Sequence, residues 1–144
     1  VLLAALEAGD AELLAVQDGA RPLTTPELID EVIALAARCG AAAPAVAVKD
    51  TIKAVSAGDV VERTLDRSAL RAIQTPQVFQ ADLLKAALQA ALESGAEITD
   101  DCGAVERLGK TVYLTEGDEA NLKITTPTDL ILAEALLRAR EEGL

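Results

Sequence analysis

Short apolar runs alternate with helix-patterned stretches along the whole chain, separated by joints of a few residues, and this alternation restricts it to a layered α/β fold. Leu13-Leu14-Ala15-Val16 reads as a buried strand, continuous rather than alternating in polarity. Thr24-Thr25-Pro26-Glu27 reads as a helix start, with a Thr cap and proline in the first turn, and Gly40 as its stop. Leu28, Val32, Ile33, Leu35 and Ala36 share one side of that helix. Residues 42–48 form a second strand. Residues 50–65 read as two strands around Ser56-Ala57-Gly58-Asp59, more polar than the rest and projecting from the body. Further on, the pattern predicts a strand at 74–79 and a helix at 81–94 stopped by Gly95. A helix capped by Thr99-Asp100-Asp101 follows and ends at Gly109, then a strand at 111–115. A capping box at Thr126-Pro127-Thr128-Asp129 opens a last helix to about Arg140. The prediction is one domain with a mainly parallel sheet and flanking helices, whose ligands sit at the carboxyl ends of strands.

Composition narrows what such a fold can hold. Of the 144 residues 51% are apolar but only 1% aromatic, so the core is built from Leu, Ile, Val and Ala and offers no stacking platform for single-stranded nucleic acid. A net charge of -11 repels nucleic acid and anionic membranes, and no apolar run is long enough to span a bilayer. The same charge repels phosphorylated substrates at long range, so a phosphate site must concentrate its few cations. Cys39 and Cys102 lack metal-ligand spacing and histidine is absent, which argues for two reduced thiols and against zinc. Val1 to Gly9 read as the end of a helix and not as a signal peptide. The lack of an initiator Met points to a start within a longer gene.

Polar clusters fall where the predicted strands end. In Gln17-Asp18-Gly19-Ala20-Arg21-Pro22 a carboxylate and a guanidinium share a tight turn. Asp18 can take a divalent cation and Arg21 can clamp phosphate oxygens, or the pair is an ordinary salt-bridged turn. Lys49-Asp50-Thr51-Ile52-Lys53 and Thr64-Leu65-Asp66-Arg67 flank the projecting strands. They read either as a solvated hairpin or as an arm that reaches a partner subunit. Lys123, ahead of a helix N-terminus, is placed to neutralise a phosphate or is a surface lysine. Thr99 and Thr126 serve at least as caps.

Five elements occur in order. They are Asp18-Gly19-Ala20-Arg21-Pro22, Lys49-Asp50-Thr51-Ile52-Lys53, Asp66-Arg67-x-x-Leu70 with Gln74-Thr75-Pro76-Gln77-x-Phe79, Ile98-Thr99-Asp100-Asp101, and Asn121-x-Lys123-Ile124-Thr125-Thr126-Pro127-x-Asp129-Leu130. Each is weak alone. Together, at these intervals, the chain from Val1 to about Arg140 resembles the methylerythritol phosphate cytidylyltransferase family.

That resemblance implies a Rossmann-like fold similar to the nucleotide-diphospho-sugar transferases. It implies joining of CTP to 2-C-methyl-D-erythritol 4-phosphate with release of pyrophosphate, in non-mevalonate isoprenoid biosynthesis, with Mg²⁺ as the divalent metal. By motif, Asp18 and Arg21 contact the methylerythritol phosphate, with Asp18 near the metal. Thr75 and Thr99 line the same pocket, and Lys123 neutralises phosphate charge, so Lys123 and Asp18 are the catalytic candidates. Thr51 and Arg67, beside the arm at 50–65, reach the other subunit's site in a cytoplasmic homodimer. Gln17 stands where the family usually has His. The family's glycine-rich CTP loop is absent from these 144 residues, so 1–144 is expected to be the C-terminal part of the domain and inactive by itself. Alternatives are a cytidylyltransferase for ribitol 5-phosphate or another sugar phosphate, a parent fused to a cyclodiphosphate synthase, and a non-catalytic dimerisation module.

Overall fold

The computed structural model describes residues 1–143. In chain order the elements are α1 (Leu2–Glu7), β1 (Leu13–Val16), α2 (Pro26–Cys39), β2 (Ala41–Ala47), β3 (Lys53–Val55), β4 (Val61–Thr64), β5 (Arg71–Ile73), β6 (Gln77–Gln80), α3 (Ala81–Ser94), α4 (Asp101–Arg107), β7 (Tyr113–Glu116) and α5 (Pro127–Glu141). A single 3₁₀ turn at Arg67–Ala69 stands between β4 and β5.

The α/β layering and Rossmann-like class expected from the pattern are borne out, but the expectation of a mainly parallel sheet is corrected. β6 runs antiparallel to both β1 and β2, β5 runs antiparallel to β2, and only β7 is parallel to β2. Helices cover both faces of the sheet, and that coverage makes an apolar run continuous whichever way its neighbour points. Direction is decided by the connections instead. A parallel neighbour needs a crossover, and no α-helix lies between β2 and β5, so the chain returns antiparallel.

β5 and β6 lie along the same edge of β2, opposite β7, because Ala42 and Ala45 each have one partner in this pair and another in β7. They form one broken strand in place of the single strand expected at 74–79. The pairings Ala45 with Ile73 and Ala42 with Val78 leave more residues on the broken strand than on β2. The excess is the pair Thr75-Pro76, which bulges out of the ladder, while the Gln74 N–H still donates to the Pro44 carbonyl of β2 at 2.8 Å; bulges of this kind re-aim side chains. The strand expected from Thr111 begins instead at Tyr113.

Alternation along the strands divides the core. Ala41, Ala43 and Phe79 face α3 and α4, packing on Leu84, Leu88 and Val105. Ala42 and Val78 face α2, packing on Leu28, Val32 and Ala36. Alanines at the sheet's centre are small enough to let the helices approach closely beside the fully buried Phe79. Ile33, expected inward, is 36% exposed because it lies at the margin of the apolar stripe. Thr25 caps α2 with Pro26 in its first turn, and Gly40 follows at φ 93°, a value suited to glycine. The buried Cys102 thiol is pushed up to about 12, by burial first and then by Asp100, Glu106 and Asp101, so it is an inert core group; Cys39 is exposed.

β3 and β4 form a separate two-stranded sheet, turning through Gly58 and Asp59, both at positive φ. Val55, Val60 and Val61 on it are exposed. α5 opens with the expected capping box between Thr126 and Asp129 and buries only Ala133.

Candidate functional site

The site is built where β1 ends, at the β5–β6 break, and in the segment after β7. Past Val16 the chain turns so that the Arg21 N–H donates to the Asp18 carbonyl at 3.1 Å. The Asp18 N–H in turn donates to Thr75 Oγ1 at 3.1 Å, tying this turn to the bulge. The Ile124 N–H donates to the Ala20 carbonyl at 2.8 Å, which lays the Asn121–Thr126 segment alongside the same turn.

Two cations therefore converge on one carboxylate oxygen. Arg21 Nε lies 3.4 Å and Lys123 Nζ 3.2 Å from Asp18 Oδ2. The Arg21 side chain is 11% exposed, whereas that of Lys123 is 47% exposed. Residues 105 positions apart do not meet for the sake of a local turn. Asp18, Arg21 and Lys123 together carry net positive charge beside solvent, on a molecule whose total is -11. Such a grouping can hold a phosphate, with Lys123 as the free-moving point charge and Arg21 as the fixed one.

Arg21 is fixed by a layer of side chains that motif reasoning passed over. Its Nη1 donates to the Asn121 carbonyl. Asn121 is fully buried; its Nδ2 donates to the Thr75 carbonyl at 3.0 Å, and its Oδ1 accepts from Thr24 Oγ1 at 2.8 Å. Gln74, also buried, donates from Nε2 to the Asp118 carbonyl at 2.8 Å and accepts at Oε1 from the Asp118 N–H at 3.2 Å. Gly117 makes this approach possible: a Cβ there would stand 2.7 Å from Gln74 Oε1 and 2.8 Å from the Ala45 carbonyl carbon. Gln17 donates to Thr24 Oγ1 at 2.9 Å, so it touches the edge of this layer. The signal available in the sequence was a polar Gln beginning an apolar strand and an Asn within a loop motif, and neither reveals burial.

The other expected residues stand apart from this cluster. Thr99 is exposed and the α4 cap expected there is Asp100 instead, whose Oδ1 accepts from the Gly103 N–H at 2.8 Å. Asp100 prevails because Gln77 on β6 donates to its Oδ2 at 2.9 Å, fixing it to the sheet. Thr51 is exposed at the base of β3. Arg67, also exposed, donates to the Lys49 carbonyl. Lys49 pairs with Glu119, so the arm base touches the loop that carries Asn121.

Among the described residues no group of three or more Asp, Glu, His or Cys side chains is arranged to hold a metal ion. Asp18 offers a single carboxylate: Oδ2 is taken by Arg21 and Lys123, and Oδ1 has no partner among the described residues. That suits an ion held chiefly by phosphates and water, as Mg²⁺ is beside nucleotides, and does not suit an all-protein cage.

Known proteins resemble this chain over nearly its whole length. The family model described as "IspD: 2-C-methyl-D-erythritol 4-phosphate cytidylyltransferase" matches residues 1–139. The enzyme of that name from Caldanaerobacter subterraneus is 52% identical over 129 residues, 90% of this chain and 57% of the relative. Its counterpart from Geobacillus kaustophilus is 49% identical over 129 residues, 90% of this chain and 56% of the relative. The crystal structure of the Thermus thermophilus 2-C-methyl-D-erythritol 4-phosphate cytidylyltransferase superposes with a TM-score of 0.83 at 44% identity, covering 92% of this chain and 65% of that one. The chain thus spans a little over half the length of the curated relatives it matches. With the match running from Val1 to residue 139, the chain belongs to the 2-C-methyl-D-erythritol 4-phosphate cytidylyltransferase family.

Proposed function

We propose that this chain carries the acceptor-phosphate half of a site that transfers a cytidylyl group from CTP to 2-C-methyl-D-erythritol 4-phosphate. The observation that carries the reading is the convergence of Arg21 and Lys123 on Asp18, beside Thr75, at the end of β1. A phosphate oxygen of the acceptor attacks the α-phosphorus of CTP. The new O–P bond forms as the bond to the β-phosphate oxygen breaks, and pyrophosphate leaves with that electron pair. The products are 4-diphosphocytidyl-2-C-methyl-D-erythritol and pyrophosphate, a step of isoprenoid biosynthesis. The protein's work in such a displacement is positioning and charge neutralisation. Arg21 holds the acceptor phosphate in one orientation, Lys123 follows the charge as it shifts, and Thr75 offers a hydroxyl at the same mouth. When bound, Mg²⁺ supplies further charge neutralisation on the phosphates, with Asp18 Oδ1 as its protein ligand.

The rest of the reading follows from residues the cluster leaves apart. Thr51 and Arg67 serve the site of a second copy of this chain, across a dimer made by β3 and β4. The exposed valines of that arm support this, because two strands alone are marginal in water. Thr99 lines the acceptor pocket from the start of α4. Phosphorylated substrates do not cross membranes, and among the described residues no helix is long and apolar enough to cross one; the enzyme works in the cytoplasm.

The test is pyrophosphate release from a chimera that joins residues 1–144 to the segment of the Geobacillus kaustophilus relative left unmatched by this chain. Release should require CTP, Mg²⁺ and 2-C-methyl-D-erythritol 4-phosphate together. Faster release with ribitol 5-phosphate would reassign the acceptor, and no release with either would remove the transferase reading. The 144 residues alone should release none, since they hold no glycine-rich loop to grip the triphosphate.

A further inference from the structure

Buried amides are costly unless every polar atom finds a partner, and a fully satisfied pair specifies one geometry. Asn121 has no exposed surface, and Gln74 has 5%. Neither lies within a regular strand or helix; the Gln74 backbone N–H continues the β2 ladder by donating to the Pro44 carbonyl at 2.8 Å, but neither side chain is part of it. Asn121 joins its own loop to two others, the β1–α2 loop and the bulge before β6. Its Nδ2 holds the Thr75 carbonyl at 3.0 Å, its Oδ1 holds Thr24 Oγ1 at 2.8 Å, and its own carbonyl receives the Arg21 guanidinium. Gln74 braces the same loop by donating to the Asp118 carbonyl and accepting from the Asp118 N–H.

We propose that Asn121 is a positioning residue, which acts through its own carbonyl to set the Arg21 guanidinium and through its amide to set Thr75, with Thr24 and Gln74 as its supports. An arginine has several rotatable bonds, and holding a phosphate in one orientation requires that most of that freedom be removed beforehand. Asp18 alone cannot do this, because at 3.4 Å its bond to Arg21 Nε is long and the same oxygen is shared with Lys123. The carbonyl of a buried, doubly held asparagine is the rigid acceptor that remains. As far as it concerns substrate, this inference rests on the proposed reading of Arg21 as a phosphate ligand.

Two measurements on the 144-residue chain separate the inference from that reading. The first follows exchange with water of the Arg21 Nε–H proton in the ¹⁵N spectrum, assigned by Arg21→Lys. The second is calorimetric binding of 2-C-methyl-D-erythritol 4-phosphate. Asn121→Asp keeps the shape but faces the Thr75 carbonyl with an acceptor; Thr24→Val removes the hydroxyl that Thr24→Ser keeps. Asn121→Asp and Thr24→Val should each speed Nε–H exchange at least tenfold and weaken binding about tenfold, while Thr24→Ser restores both. A side chain with only a structural role would lower melting temperature and leave the Arg21 proton as it was. Unchanged exchange in folded Asn121→Asp overturns the proposal. If that variant does not fold, unchanged exchange in Thr24→Val does so. Should the unsubstituted chain bind no 2-C-methyl-D-erythritol 4-phosphate, the substrate reading falls while the exchange data still decide the role of Asn121.

Discussion

The Asp18 cluster and the β3–β4 arm differ in how the fold treats their charged residues. In the cluster, three segments far apart in sequence are drawn together and held by buried amides, and each polar group of Asn121 is matched. In the arm, Thr51 and Arg67 sit at an exposed base, three valines point into solvent, and the two strands pair only with each other. A cluster completed within one chain has its geometry set before any ligand arrives. An arm left unsupported draws its geometry from whatever covers it. On the proposed reading these are two parts of one site: a rigid half from one subunit and a reaching half from the other.

Substitutions that strike only one region sharpen this contrast. The largest effect is expected from Lys123→Ala in the chimera, which should lower turnover about 10²-fold or more. Its melting temperature should barely change, because a half-exposed ion pair contributes little to stability. Unchanged turnover would make Lys123 a surface lysine. Next comes Gly117→Ala, whose added methyl meets Gln74 and the Ala45 backbone. Overpacking of this kind costs about 1–3 kcal/mol, and chemical denaturation should detect it. An Ala variant as stable as the parent would mean that Gln74 gives way freely and the cluster is less rigid than drawn. On the arm, Val61→Asp should leave the core's stability unchanged but raise the dissociation constant of the dimer at least tenfold, read by sedimentation. A dimer that tolerates it is built elsewhere.

The smallest effect belongs to neither region and serves as a control. Hydrogen bonds from Thr125 and Thr126 hold the exposed Asp129 carboxyl at about 2, below its ordinary value of 3.8. A depressed carboxylate contributes stability that is full above the ordinary value and fades as pH falls from about 4 to about 2. Asp129→Asn should flatten that part of the stability profile. If the slope persists in Asp129→Asn, the titration responsible lies in another carboxylate.

The α/β layering was legible in the sequence because burial leaves a pattern. Thr25 before Pro26, Gly40 and Gly95 after helices, and the Thr126–Asp129 box each mark a boundary by local chemistry, and the structure has caps at all of them. Strand direction was not legible, since β1 and β2 are continuously apolar as parallel strands are, yet both pair antiparallel with β6, and the segment Gln74-Thr75-Pro76 looks like the start of a strand. Motif spacing carried Asp18, Arg21, Thr75 and Lys123, and the structure brings these four together. Burial of Asn121 and Gln74 could not be read the same way, because polar residues in loops are ordinarily solvated and only the meeting of three distant segments encloses these two. Thr99 was mistaken for a cap because Thr and Asp are both good caps, and only Gln77, a residue on another element, decides between them.

Complementation between subunits tests the two-part site most directly. Arg67→Ala and Lys123→Ala chimeras, each nearly inactive, are mixed and allowed to exchange subunits, with mixed dimers verified by mass. If Arg67 serves the partner's site, one composite site collects both defects and the other has neither, so activity returns in proportion to the mixed species. If Arg67 serves its own subunit, every site keeps one defect and mixing restores nothing, which would contradict the account.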